Sequence, residues 1–242
     1  MGLLLPVLIL GAWQLLATSG RFSESQLPTP ASVGAALGEL LRRDELWRNV
    51  AISTQRVFLG FLAGAGAGLV LGGLVGLSRP ARAVLGPTIG ALRAVPSLAW
   101  VPLLLLWLGI GETPKITLVA IGVFFPVYTT VSAALGHVDA HLVEVGRANG
   151  RHGVGLFLQV QLPAVAPGTL AGLRLGLAQG WLFLVAAELI ASSIGLGFLL
   201  INSQNTGRTD ILFLAIILLA LLGKLTDGLL GLLERRVLRH WA

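Results

Sequence analysis

Residues 50–77, VAISTQRVFLGFLAGAGAGLVLGGLVGL, decide the fold class. The run carries a single formal charge, Arg56, and exceeds the roughly 20 apolar residues that a helix needs to cross a hydrocarbon core. It is a membrane span. Glycines at 60, 64, 68, 72 and 76 recur every fourth residue, the pattern that lets a second helix approach backbone to backbone where lipid removes any hydrophobic drive. GAGAG at 64–68 could be taken for a nucleotide-binding loop, but no strand pattern precedes it and no acidic residue follows at the required distance. Close helix packing is the reading that fits.

Working outward, the same composition governs the chain. Of 242 residues, 55% are hydrophobic and 12% charged, against roughly 25% charged in soluble domains. Apolar runs at Met1–Ala17, Val84–Leu108, Ile116–Leu135, Val165–Ile190 and Ile211–Leu233 join the first to predict an all-α integral membrane protein with six transmembrane helices. The first run has no basic residue ahead of it, so it reads as a retained span, although Ala17-Thr18-Ser19 loosely resembles the end of a cleaved signal. A net charge of +6 does not imply nucleic acid as a partner, because the arginines lie between apolar runs, where membrane topology places them. There are no cysteines and the four histidines lack ligand spacing, so no metal or thiol chemistry is expected.

Between the spans the sequence predicts distinct connectors. Val33, Leu37, Leu40 and Leu41 mark an amphipathic helix lying on a surface, with Glu39, Arg42, Arg43, Asp44 and Glu45 beside it. Arg79 and Arg82 flank Pro80 in a short loop, and GIGETPK at 109–115 forms another. The span at 84–108 is interrupted by Arg93, Pro96 and Pro102, and freed backbone groups at membrane depth require a neighbour or water. Arg93 either faces a water-accessible path or snorkels to the headgroups. Arg79, Arg82, Arg147, Arg151, Arg235, Arg236 and Arg239 fall on one side with few acids, whereas Arg42, Arg43, Arg48, Lys115 and Arg208 on the other have acids nearby. Both ends are therefore expected inside. Three parts follow: residues 1–48 with the first span and an outer amphipathic segment, a core of 49–235, and a basic tail of 236–242.

Residues 139–163, DAHLVEVGRANGRHGVGLFLQVQLP, stand out as a structured polar module. Asp139 is placed as an N-cap, Val138 and Val143 as a hydrophobic staple, and Gly150 after Asn149 as a helix stop. A second short helix is expected over Gly153–Gln161, ended by Pro163. Glu144 and Arg147 can pair on the first helix or contact a partner. An amphipathic connector on the headgroups is the plainer alternative.

Glu144, Gly150 six positions on, and Val160, Leu162 and Pro163 after nine further residues resemble the EAA motif of bacterial ABC importer permeases, E-A-A-x-x-x-G, nine residues, I-x-L-P. Val145 and Gly146 replace its alanines and Val160 its isoleucine. LPTP at 27–30, VPLLLLWLGIGETPKI at 101–116, VFFPVY at 123–128 and ALLGKLTDGLLGLLERRVLR at 220–239 extend the resemblance, which is greatest to the aliphatic sulfonate branch. Taurine, nitrate, bicarbonate and pyrimidine-precursor permeases are similar over the same stretches. The resemblance implies a type I importer transmembrane domain in the bacterial cytoplasmic membrane, a homodimer working with two ATPase subunits and an extracytoplasmic solute-binding protein. It implies that Val143, Glu144, Val145, Gly146, Arg147, Gly150, Val160, Leu162 and Pro163 form the cytoplasmic coupling segment. ATP and Mg would be bound by the ATPase subunits, with no cofactor in this chain. In keeping with that, the chain has no phosphate-binding loop, since Gly223-Lys224 is followed by Leu225, and it is not expected to be an enzyme.

Charges inside spans are costly at roughly 2.5–3.5 kcal/mol each near the centre, so they are expected to face the bundle or a water-filled path. A sulfonate needs hydrogen-bond donors, which makes Arg93, Ser97, Arg174, Ser192 and Ser193 candidates for the translocation pathway, with Glu188 facing it. Lys224 and Asp227 are spaced to neutralise each other. Two other classes fit the sequence less well. A membrane-embedded enzyme would use Glu188, Asp210 or His141, but no nucleophile, base and orienter recur in a recognisable pattern. An ion-driven carrier would show inverted repeats, and none is evident.

Overall fold

The computed structural model describes residues 4–239, apart from the side chains of Ser97 and Ala191, and every regular element among them is helical. In chain order these are α1 (Leu4–Thr18), α2 (Pro30–Arg42), α3 (Glu45–Leu77), α4 (Arg79–Ala94), a 3-10 turn (Ser97–Ala99), α5 (Trp100–Leu108) and α6 (Glu112–Gly136). There follow α7 (Ala140–Ala148), α8 (Gly153–Leu156), a π-helical turn (Phe157–Gln161), α9 (Leu162–Ala191), α10 (Leu196–Asn205) and α11 (Thr209–Arg239). Among the described residues, four helices are long and apolar enough to cross a membrane: α3, α6, the continuous stretch Gly153–Ile190, and α11. The expectation of six full spans is thus met by four of this length. The first apolar run gives the 15 residues of α1, about 22 Å of rise. The third expected span is two helices: Val95 is extended at ψ 123° ahead of Pro96, which disfavours helical backbone in the residue before it, and α5 restarts beyond the 3-10 turn.

The described residues pack as two units, one up to Gln55 with Val185–Leu222, the other Arg56–Leu184 with the residues from Gly223 on. In the second unit, α6 is gripped by glycines from two sides. Val119, Val123 and Val127 of α6 have no solvent exposure. A Cβ at Gly60 or Gly68 of α3 would lie 2.5 Å from Val119 Cγ1 or 2.9 Å from Val127 Cβ, and one at Gly76 would lie 2.6 Å from Leu135 Cβ. On the other side a Cβ at Gly176 of α9 would meet Val127 Cγ2 at 2.9 Å, and one at Gly180 would meet Val123 Cγ2 at 3.1 Å. The four-residue ladder of α3 is used as its spacing predicts. Gly168, Gly172, Gly176 and Gly180 make a second ladder with the same spacing, a signal that was present in the sequence and went unread.

The expected loop around Pro80 is instead the first turn of α4. Ser78 caps it by accepting from Ala81 N at 3.3 Å, and proline fits at this position because the first helical N–H groups have no helical partner. Arg82 donates to the Val75 and Gly76 carbonyls at 3.2 and 2.7 Å, satisfying acceptors at the end of α3. The loop after α5 is likewise short, because α6 begins at Glu112.

In the first unit, the apolar stripe of α2 is covered by protein. Its apolar face, Val33, Ala36 and Leu40, is buried with Leu46, Leu199, Leu214 and Ala215 in one core. Trp13 of α1 joins by stacking on Phe213 at 5.8 Å and donating to the Pro28 carbonyl at 2.9 Å. An amphipathic stripe requires an apolar partner and does not say whether that partner is lipid or protein. Between α9 and α11 lies α10, whose Leu196 and Leu199 are buried.

Candidate functional site: the polar hairpin and the internal charges

The module at 139–163 is a helical hairpin closed at both ends of α7. Asp139 caps the start, its side chain accepting from His141 N at 2.9 Å. At the other end Gly150 N donates to Arg147 O at 2.9 Å and Arg151 N to Gly146 O at 3.1 Å, the paired bonds of a Schellman stop. Gly150 sits at φ +74°, a left-handed conformation that glycine adopts without steric cost. Val138 and Val143, the staple pair, are both half-buried.

The substitution of glycine for alanine at 146 has a packing reason. A Cβ there would lie 2.7 Å from Leu156 Cδ1 and 3.0 Å from Val160 Cγ2, so the return arm lies directly on the backbone of α7. Gly146 and Leu156 are buried as a result. Outward the hairpin shows Leu142, Val145, Val154 and Leu158, with Glu144, Arg147 and Arg151 among them, all exposed. Glu144 lies 3.8 Å from His141 Nδ1.

Pro163 does not end the return arm, contrary to expectation. It is the second residue of α9, and the arm runs without interruption into that span. In an α-helix the ring would press on the carbonyl four residues back. The π turn immediately before it, where Leu162 N donates to Phe157 O five residues earlier, widens the backbone at that point. Val160 lies in this turn and Leu162 opens α9.

The candidate pathway residues fall in different places. Arg93 is exposed in the last turn of α4. Ser97 opens the 3-10 turn, and its side chain lies outside the described atoms. Arg174 of α9 is held by two acids of α11: Nε and Nη2 donate to the two oxygens of Asp227 at 2.9 and 3.0 Å, and Nη1 to Glu234 at 2.9 Å. Asp227 is therefore the partner of Arg174 rather than of Lys224, because a bidentate guanidinium fits both carboxylate oxygens at once.

Glu188 is fully buried in the first unit and accepts from Ser53 Oγ at 2.8 and 3.0 Å and from Gly197 N at 2.8 Å. Ser53 Oγ in turn accepts from Leu196 N at 2.9 Å, and Asn49 Oδ1 from Gly195 N at 2.8 Å. Glu188 and two side chains distant in sequence, Asn49 and Ser53, thus cap the start of α10, whose own N-cap residue, Gly195, has no side chain to do so. Ser192 bonds within its own turn to Ile194, and Ser193 is exposed.

Sequence reasoning passed over a tie on the same unit: Arg208 donates to Glu39 at 2.8 Å and to Asp210 at 2.8 Å, fastening α2 to the turn before α11. The hydrogen bonds from Asp210 and Glu39 raise the Arg208 pKa, and that guanidinium holds the Glu39 carboxyl below its ordinary value. A lowered carboxylate contributes above its unfolded pKa and loses that contribution as pH falls through the lowered value. Protection of the α2 amides against exchange is expected to fall as acid protonates the lowered Glu39 carboxyl, and an Arg208→Ala variant to show reduced protection already at neutral pH. Identical exchange in the two proteins at neutral pH would remove the tie's role.

Long apolar helices packed on glycine ladders, with a capped polar hairpin in line with one of them, define a multi-pass membrane protein. The chain belongs to the binding-protein-dependent transport system inner membrane components, whose family model matches residues 64–239. A putative aliphatic sulfonates transport permease protein, SsuC, of Bacillus subtilis (strain 168) is 42% identical over 98% of this chain and 86% of its own length. The protein of that name from Escherichia coli (strain K12) is 43% identical over 97% and 89%. The taurine transport system permease protein TauC of E. coli is 35% identical over 95% and 85%. Among solved structures, an inward-facing form of the MetNI methionine ABC transporter aligns with TM-score 0.66 at 24% identity, covering 81% of this chain and 96% of that one, a likeness of fold.

Proposed function

We propose that this chain is the permease subunit of an ATP-driven importer for aliphatic sulfonates. It works as a homodimer in the bacterial cytoplasmic membrane, with both termini inside, two ATPase subunits below and a solute-binding protein outside; ATP and Mg belong to the ATPase subunits. The substrate reading rests on the relatives named for sulfonate transport. The observation that carries the mechanism is the continuity of the hairpin with a span. Its return arm passes through the π turn into α9 without a break, so a push on α7, which packs on that arm at Gly146, is carried into the membrane by continuous helix from Gly153 on. Leu142, Val145 and Glu144 face outward from a helix capped at both ends, a shape suited to a groove on an ATPase. Alternating access then needs two states of similar free energy, which ATP and the loaded binding protein bias in opposite directions.

The test is reconstitution with the ATPase and binding-protein subunits in proteoliposomes. ATP-dependent accumulation of labelled ethanesulfonate is expected, and Glu144→Lys should reduce it by at least about tenfold, the equivalent of roughly 1.4 kcal/mol of coupling. Uptake of taurine or nitrate in place of ethanesulfonate would overturn the substrate. Undiminished uptake by Glu144→Lys would overturn the coupling role of α7.

A further inference from the structure

Two cations in the second unit have no part in the mechanism above. Arg56 of α3 is 1% exposed and Lys115 of α6 is 5% exposed, which for these residue types is rare without a bound anion or partner. Both reach the same carboxylate. Arg56 Nε donates to Glu112 Oε2 at 2.5 Å and Nη2 to Oε1 at 2.6 Å, while Lys115 Nζ donates to that same Oε1 at 3.0 Å. Glu112 is unlike the groups it binds, because its side chain is 49% exposed. The cations are inside and the carboxylate stands between them and solvent.

We infer that Arg56 and Lys115 form a seat for the head group of the transported sulfonate, with Glu112 as the built-in anion that occupies it until substrate arrives. The inference rests on the importer reading above and goes beyond it by naming where this chain holds its substrate. Head-group chemistry favours a sulfonate over a carboxylate. Two of its oxygens fit the arginine fork as the Glu112 oxygens do, and the third is left for the Lys115 ammonium. The two-oxygen carboxylate must divide Oε1 between Arg56 and Lys115. Exchange also fits the burial: Glu112 is the half-exposed member of the three, so it can swing away when another anion takes its place while the two cations stay inside. Charge counting puts the loop before α6 on the outer side, where a binding protein releases its cargo. The seat therefore belongs to an early step of entry.

Binding of labelled ethanesulfonate to the purified complex of permease and ATPase subunits, without ATP or binding protein, tests the seat. Saturable binding is expected, and propionate should compete at least about tenfold less well than unlabelled ethanesulfonate. Glu112→Gln, which removes the competing charge, should tighten binding by about tenfold, and Lys115→Met should weaken it by at least as much. A role confined to packing would make Glu112→Gln neutral or worse for the ligand. Non-saturable binding, equal competition by propionate, or unchanged affinity in Glu112→Gln would each overturn the seat. Competition on the wild-type complex decides the matter even where a variant fails to fold. Stimulation of the wild-type complex's ATPase by the loaded binding protein serves as a separate control: its absence would count against the importer reading, whereas its presence with no sulfonate binding would count against the seat alone.

Discussion

A Gly150→Pro permease is expected to insert and assemble normally and to lose at least about tenfold of its ATP-driven sulfonate uptake. Gly150 holds φ +74°, while proline is locked near −65° and lacks the N–H that donates to Arg147 O at 2.9 Å. Both bonds of the helix stop depend on this residue's backbone, including that from Arg151 N to Gly146 O. α7 would lose its defined end, and the return arm its fixed angle against Gly146. The damage stays local, because the spans are held by the two glycine ladders and their α6 valines. Membrane yield and melting temperature should stay close to wild type, while binding-protein stimulation of the ATPase is lost. Gly150→Ala, with a left-handed alanine costing roughly 1–2 kcal/mol, should be intermediate. Wild-type uptake by the proline variant would refute the rigid-lever account of the hairpin.

The second large effect is on stability. Glu188→Ala strips the buried acceptor from Ser53 Oγ and from Gly197 N, the donors now 2.8–3.0 Å from the carboxylate. Each buried donor left unsatisfied costs about 1–3 kcal/mol, so for the two a total on the order of 2–6 kcal/mol is expected, enough to lower the melting temperature visibly. The start of α10 should loosen first, seen as faster proteolysis or amide exchange over Gly195–Leu199. Glu188→Gln retains one acceptor oxygen and should lose less. A Glu188→Ala protein as stable as wild type would mean that α10 is positioned by its apolar contacts with α2 alone.

Features of the hairpin were legible because they are local. Asp139, Gly150 and the motif spacing act within a few residues of themselves, so a cap or a stop can be read where it stands. The glycine ladder of α3 was legible for the same reason, and that of α9 could have been. Elsewhere local signals do not fix the outcome. Pro163 signals a helix end by every local rule, yet the π turn that accommodates it has no sequence signature of its own. The stripe of α2 was visible, but lipid and protein are equally apolar partners, and only the fold shows Leu199, Leu214 and Ala215 beneath it.

By itself, then, the sequence determined the membrane class, the helical content, the polar hairpin and the motif that resembles the EAA segment, since composition, period and capping are properties of short stretches. Tertiary structure alone decided which charges meet. Glu188 finds Ser53 from 135 residues away, Arg174 finds Asp227 from 53, and Arg56 finds Glu112 from 56. The physical reason is that a buried charge must be compensated wherever the chain can bring a partner, and the sequence records the need without recording the partner. Arg56, Lys115 and Glu112 appeared in the sequence as an early-span arginine and two residues of an outer loop. The fold brings them together on one carboxylate.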